Sequence, residues 1–481
     1  MNKESIKLLR EQSVAFEPTW AAHNDAAIQL VDHVFDALKL NAYHSSANAK
    51  YKRVIASILA LCGNVLDKAD GRLALPKDRS YWAPYGVGMD IINPVFDGME
   101  KQGWLYFVEG SGKFYLLEAE SGKIERWGLV SQYLIDDSLC DLSGFYDAAW
   151  VEIGKPPMLV GISETIGTKI KRKNEGRKKP KLPISKVKKQ FAKDYSKIVR
   201  GVKLLGDYWQ DHPLCLPPKD NNIPAYAASA TRVFHDGRID SGGRYYGAWT
   251  DMKGNQRLLC SIDEEPVVQI DLNASQPTLF SSLMGQTMEV GDLWDDLYAE
   301  VIRDLGAVGG KDDEPARRKK IKQCAVEVIG TGNIGKSHPA IDSGVTWGDA
   351  DIGIPEWQLY KNTLLYYVPA LSLLEPRYDK KGKPTGYLNG SGFISFHEAE
   401  IIRLTLEALV AEDIPAYPVH DCLICRRSDQ DKAVETYRAI IRNYVLNMND
   451  RNKTKRVDIT VPVSIEEAGK SKVRLSGCYN T

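Results

Sequence analysis

A chain of 481 residues is longer than one small core requires, so two or three domains with ample apolar interior are expected. Its 63 basic and 63 acidic residues cancel, which excludes a wholly basic coat protein but leaves room for a local basic stripe. Eight scattered cysteines are too sparse for a disulfide framework, no apolar export segment follows Met1–Ser5, and no stretch approaches ~18 uninterrupted apolar residues; a reducing cytoplasm is expected, with neither export nor membrane insertion.

In chain order, apolar periodicity predicts helices over Asp25–Leu38 and Asn48–Leu66, the second built on Val54, Ile55, Ile58, Leu59 and Leu61. A helix over Pro94–Lys101 precedes strands over Trp104–Val108 and Phe114–Glu118, joined through Glu109–Lys113 as a glycine-rich hairpin. Helix followed by hairpin looks like a winged helix, a unit that binds DNA in some proteins and serves as plain scaffold in others. Residues 1–168 are therefore expected to form a helical, winged-helix-like N-terminal domain.

Between Lys169 and Lys203 fifteen basic residues face two acids, Glu175 and Asp194, a net of +13 in one segment. Lys171, Arg172, Lys173, Arg177, Lys178 and Lys179 are its densest part, and such a run releases counterions from a phosphate backbone in a sequence-blind, salt-sensitive way. A solvated linker is the alternative. Residues 169–224 are read as a basic linker and helix, separating the N-terminal module from residues 225–481.

Three segments of 225–481 carry chemistry. In Val267–Phe280 a β-branched run ends at Asp271, and Ser275 is placed to cap a helix whose first turn tolerates Pro277. Asp271 thus sits at the carboxyl edge of a core strand, where either a functional acid or a simple turn cap is possible. In Ala416–Arg426 two short apolar strands flank His420-Asp421 at a hairpin tip, and a carboxylate among such neighbours needs a cation or hydrogen bonds. Two carboxylates on adjacent strand ends make an oxygen-rich site of the kind magnesium takes. Cys422 and Cys425 stand three apart on a strand, face opposite sides and do not suit a shared metal. In Arg317–Asn333, Arg318 and Lys322 share one helical face above Ile321, Ala325 and Val328, a fixed row of cations suited to a triphosphate; a plain basic surface helix is the other reading.

In chain order these segments resemble motifs A, B and C of the family A polymerases, the superfamily of bacterial repair DNA polymerases and single-subunit phage and mitochondrial RNA polymerases. The resemblance runs from about Thr231 to about Lys472, roughly half the chain. It implies an α+β right-hand fold, with an antiparallel palm sheet from Val267–Asp271, Ala416–Cys425 and Asp458–Ile465, and helical fingers from about Gly291–Tyr387. It further implies two Mg2+ ions, with Mn2+ as a substitute, held by Asp271, the Leu272 carbonyl and Asp421. Arg318, Lys322 and the turn at Gly330 would bind the incoming nucleotide, Lys322 would protonate the pyrophosphate, and Gln276 would face the sugar. Arg244, in Gly243-Arg244-Tyr245, would meet the minor groove of a DNA primer–template, and His420 the primer terminus. The helix beginning near Ser395 looks like the palm helix before motif C, with Glu398 or His397 facing the site. The partners implied are primer–template DNA and dNTPs, with NTPs the alternative, and no membrane; a monomer is expected.

Departures from the pattern are specific. Cys422 stands where motif C usually has glutamate, and motif B lacks its usual aromatics at Val326 and at or beside Gly330. Gln276 occupies the place of a bulky glutamate in DNA polymerases and of glycine in the RNA polymerases; its bulk favours deoxynucleotides, while its amide can bond a ribose hydroxyl. No proofreading exonuclease pattern precedes these motifs. A DNA polymerase is the favoured reading. An RNA polymerase or primase on the same palm, and a non-catalytic DNA-binding regulator with a vestigial palm, are the alternatives.

Overall fold

The computed structural model describes residues 13–40, 45–68, 71–75, 82, 85–109, 114–118, 124–128, 131–152, 160–162, 182, 184–217, 225–235, 237–305, 314–331, 354–374, 376–378, 384–387 and 390–480. The chain is α+β and divides into two units, Met1–Leu159, Val202–Ala230 and Gly247–Glu264 in one, and Val160–Gly201, Thr231–Tyr246 and Glu265–Thr481 in the other. Among the described residues no helix is long and apolar enough to cross a membrane.

The first unit is built around α1 (Asp25–Ala37), α2 (Ser45–Lys68) and α3 (Met89–Lys101). Their apolar stripes, among them Leu30, Val34, Ile55, Leu59, Ile92 and Phe96, meet in one core. The Asn24 side chain starts α1 by accepting from the Ala27 N–H at 2.9 Å, and the same oxygen accepts from Ala149 N–H at 3.0 Å. Helix α3 begins five residues before Pro94, because Ile91 and Ile92 extend its buried stripe; proline costs it one internal donor. The expected hairpin between the strands after α3 is not formed. Leu105–Glu109 instead pairs with Ser131–Ile135, and Phe114–Glu118 with Ile124–Gly128, so the second hairpin is nested within the first. Partner choice between strands is non-local and the spacing of turn residues does not decide it.

In the second unit β1 (Thr231–Phe234) and β2 (Gly242–Tyr246) form an antiparallel pair with a bulge at Gly243. Gly243 has φ +86°, and a Cβ there would lie 2.7 Å from the Phe234 ring, so only glycine fits. Next come β3 (Glu265–Leu272), α4 (Ser275–Leu283), α5 (Leu297–Leu305), α6 (Glu314–Thr331), α7 (Ile354–Tyr367) and α8 (Gly390–Ala411). The unit closes with β4 (Ala416–Val419), β5 (Cys422–Arg426), α9 (Gln430–Asn452), β6 (Val463–Glu467) and β7 (Val473–Leu475).

Strand β3 is the centre of the antiparallel sheet, paired with β5 on one side and β6 on the other, with β4 and β7 outside them. Val267, Val268, Gln269 and Ile270 are all buried, as a strand covered on both faces requires. Helix α9 is tied to α4 by Asn449, whose side-chain amide donates to the Ser282 carbonyl at 2.9 Å. The start of α8 lies so close to the end of α6 that a Cβ on Gly390 would collide with the Ile329 carbonyl. Helix α8 therefore starts five residues before Ser395, on glycines that permit this approach.

Of the basic segment, Lys171, Arg172, Lys173, Arg177, Lys178 and Lys179 lie outside the described residues. Lys186, Lys188, Lys189, Lys193, Lys197 and Arg200, on the helices that follow, are exposed. Replacing Gly243 by alanine is expected to cost about 1–3 kcal/mol through a positive φ that a side chain resists, read as a lower thermal-unfolding midpoint; an unchanged midpoint would show that the bulge tolerates a Cβ.

Candidate active site

The edge of the β3 sheet opens into a cleft of about 370 Å³ lined by residues of β2, β3, α4, α5, α6 and α8 and by Asp421. Asp271 reaches it from the penultimate position of β3, where the register sets it opposite Cys422 on one side and Ser464 on the other. Asp421 is the second residue of the two-residue turn between β4 and β5. The first, His420, has φ +60°, a conformation that non-glycine residues resist, and its ring packs against Tyr246 at 5.8 Å between centroids. The Tyr437 hydroxyl of α9 donates to the Asp421 carbonyl at 2.7 Å, pinning the turn from below.

Seven of the residues singled out in the sequence share this cleft: Arg244, Asp271, Leu272, Gln276, Arg318, Lys322 and Asp421 all line it. His420 and Gly330 are not among the lining residues. No turn forms at Gly330, because α6 continues through it to Thr331, and a Cβ at that position would meet nothing within 4 Å.

Ser275 does not cap its helix. The N-cap of α4 is Ala274, in the left-handed region at φ 48°, with no side-chain cap bond. The Ser275 hydroxyl instead donates to the Glu398 carboxylate at 2.5 Å. Arg244 also donates to Glu398, which is 2% exposed, so a buried carboxylate binds β2 to the start of α4 beneath the site. Of the two candidates on α8, Glu398 faces the cleft, whereas His397 is buried and bonded to the Tyr444 hydroxyl at 2.7 Å. Burial lowers the His397 pKa to about 4, against the pull of Glu400 and Asp240.

Three carboxylates therefore crowd one cleft. Burial, then Glu398 and Asp271, push the Asp421 carboxyl up to about 8, and Arg244 offsets only part of this. Lys472 stands 3.9 Å from Asp271 and 2.6 Å from Glu466. Burial works against the charge on Arg244, but Glu398, Asp421 and Tyr246 together raise the guanidinium pKa. Opposite the acids, Arg318 and Lys322 project from α6. Arg318 is held by Asp296 at 2.6 Å, and both cations lie over the Tyr298 ring, at 5.5 and 6.0 Å from its centroid.

Sequence reasoning missed Asp296, Tyr298, Lys472 and the role of Ser275. Asp295-Asp296-Leu297-Tyr298 opens α5 with an acid and an aromatic, a pattern that any helix start could show. Among the described residues no group of three or more His, Cys, Asp or Glu is arranged to hold a metal. A divalent ion here would rest on Asp271, Asp421, backbone carbonyl and water. Hard oxygen donors with one or two carboxylates are the set that magnesium accepts, and the displaced Asp421 carboxyl is a group that a cation would relieve.

No family model matches the chain, and no curated protein does. Solved structures that match include the POL domain of Pol1 from M. smegmatis in complex with DNA primer-template and dNTP. It is 11% identical, covers 92% of this chain and 67% of its own, and has a TM-score of 0.30.

The crowding has a consequence for stability. The folded pKa of Asp421 lies above that of a free carboxyl, so the fold favours the protonated acid and this group destabilises it as pH rises from about 4 towards 8. In metal-free buffer Asp421→Asn is expected to melt above the wild type at pH 8, with the difference shrinking towards pH 5. A melt below the wild type at pH 8 would mean that the charge is already compensated.

Proposed function

We propose that the chain is a template-directed nucleotidyltransferase that extends a DNA primer, with Asp271 and Asp421 as the acids of a two-ion site. One observation carries the reading: two acids from distant segments line one cleft, and the paired cations of α6 line it with them. That is the charge layout needed to bring a triphosphate to divalent ions. On this reading the β3 sheet is the palm, α5 to α7 belong to the fingers, and the order of segments follows motifs A, B and C of the family A polymerases.

When bound, two magnesium ions would activate the primer hydroxyl and stabilise the leaving oxygen. The chain's own residues do the rest. Arg318 and Lys322 bind the triphosphate, and Lys322 hands a proton to the departing pyrophosphate. Gln276 begins the wall that faces the sugar, and its bulk disfavours a ribose 2′-hydroxyl. Arg244 is held by Glu398 and remains about a fifth exposed, and its accessible guanidinium edge is the donor for the minor groove. His420 stands beside the primer end. The exposed lysines of Ile184–Gln190 and the helix after it suit a sequence-blind hold on the phosphate backbone. With no proofreading pattern in the sequence, the enzyme is expected not to excise its own errors.

Asp271→Ala and Asp421→Ala are each expected to cut incorporation by about a thousandfold or more, equivalent to some 4 kcal/mol of lost transition-state stabilisation, while DNA affinity stays near wild type. Activity within tenfold of wild type in either variant would remove the proposal. Extension with dNTPs and NTPs side by side tests the sugar preference: dNTPs should be favoured, and Gln276→Gly should shift incorporation towards NTPs. Unprimed synthesis from NTPs by the wild type would favour the primase reading instead.

A further inference from the structure

Motif B of this chain lacks the rings that usually flank a nucleotide, since Val326 and Gly330 stand at those places, and Val326 is half exposed. The cleft nevertheless contains one aromatic residue among its lining, Tyr298, contributed by α5 rather than α6. Its ring is 6% exposed. Arg318 Cζ lies 5.5 Å and Lys322 Nζ 6.0 Å from its centroid, so both cations of the α6 row pack on this one ring.

The same turn of chain fixes the ring. Asp296 accepts from the backbone N–H of Tyr298 at 3.0 Å and of Ala299 at 3.3 Å, while its other oxygen takes Arg318 at 2.6 Å. Arg474 approaches that oxygen at 3.6 Å, and Asp296 is 2% exposed. A long cationic side chain in water samples many rotamers, and ordering it costs free energy at each binding event. Here one cation is tied by a buried carboxylate and both lie over a buried ring, so that cost is met before a ligand arrives.

We propose that Tyr298 is a positioning residue of the triphosphate site, acting through Arg318 and Lys322: its aromatic face lays the two cations in line along the cleft wall. The proposal rests on the polymerase reading for the identity of the ligand, a nucleoside triphosphate, but its test does not depend on incorporation. Binding of inorganic tripolyphosphate and of dATP is measured by calorimetry on wild type, Tyr298→Phe, Tyr298→Leu and Tyr298→Met, the last filling the volume without a ring. Tyr298→Phe keeps the face and should bind like wild type. The leucine and methionine variants should bind both ligands about tenfold more weakly, the loss of a partly desolvated cation–π contact. Thermal melts identify any variant that fails to fold, and one folded ringless variant is enough to decide.

In primed extension the ringless variants should raise the KM for dNTP about tenfold and also lower kcat, since Lys322 serves both the triphosphate and the leaving pyrophosphate, while Tyr298→Phe keeps both constants near wild type. Wild-type affinity in a folded ringless variant, or no triphosphate binding by the wild type, overturns the proposal. If the wild type binds triphosphate and loses affinity with the ring, yet incorporates nothing, the polymerase reading fails and the positioning role stands.

Discussion

Like charges brought together against their preference are the constraint that organises this site. Asp271, Asp421 and Glu398 line one cleft, and burial, added to their proximity, carries the Asp421 carboxyl up to about 8. Much of the surrounding structure answers this. Arg244 is bound to Glu398, Lys472 stands beside Asp271, and the Ser275 hydroxyl turns inward to the same glutamate instead of capping its helix. The Asp421 charge remains incompletely met.

The scaffold that enforces the crowding is ordinary. Strand β3 is buried on both faces and fixed by ladders to β5 and β6, so Asp271 cannot retreat without breaking a core strand. Asp421 is held by a two-residue turn, with His420 at φ +60° and the turn's carbonyl bonded to Tyr437. Positive φ at His420 and at Ala274 marks backbone kept in costly conformations by its surroundings. On the far wall, Asp296 and Tyr298 hold the cations in the same rigid manner. Acids and cations thus line one cleft, the layout on which the proposed triphosphate site rests.

Parts of this were legible in the sequence for definite reasons. Val267–Asp271 is a β-branched run ended by an acid, and the strand observed is Glu265–Leu272. Arg318 and Lys322 share a face because four residues make about one helical turn. What stayed hidden was tertiary. Nothing local tells Ser275 to bond Glu398, more than a hundred residues away, and nothing in Leu297–Leu305 announces that Tyr298 lies under cations of the next helix. The strand pairing after α3 was misread for the same reason, and the turn expected at Gly330 was a glycine read without its neighbours. The close approach that does require glycine occurs at Gly390.

Whether Asp271 and Asp421 share divalent ions is decided by anomalous scattering from crystals grown with Mn2+, primer–template DNA and a dNTP. Manganese is expected between the two carboxylates, each ion within coordinating distance of both, with no such density in Asp421→Asn. Manganese bound elsewhere, with Asp271 and Asp421 coordinating none of it, would remove the two-ion site.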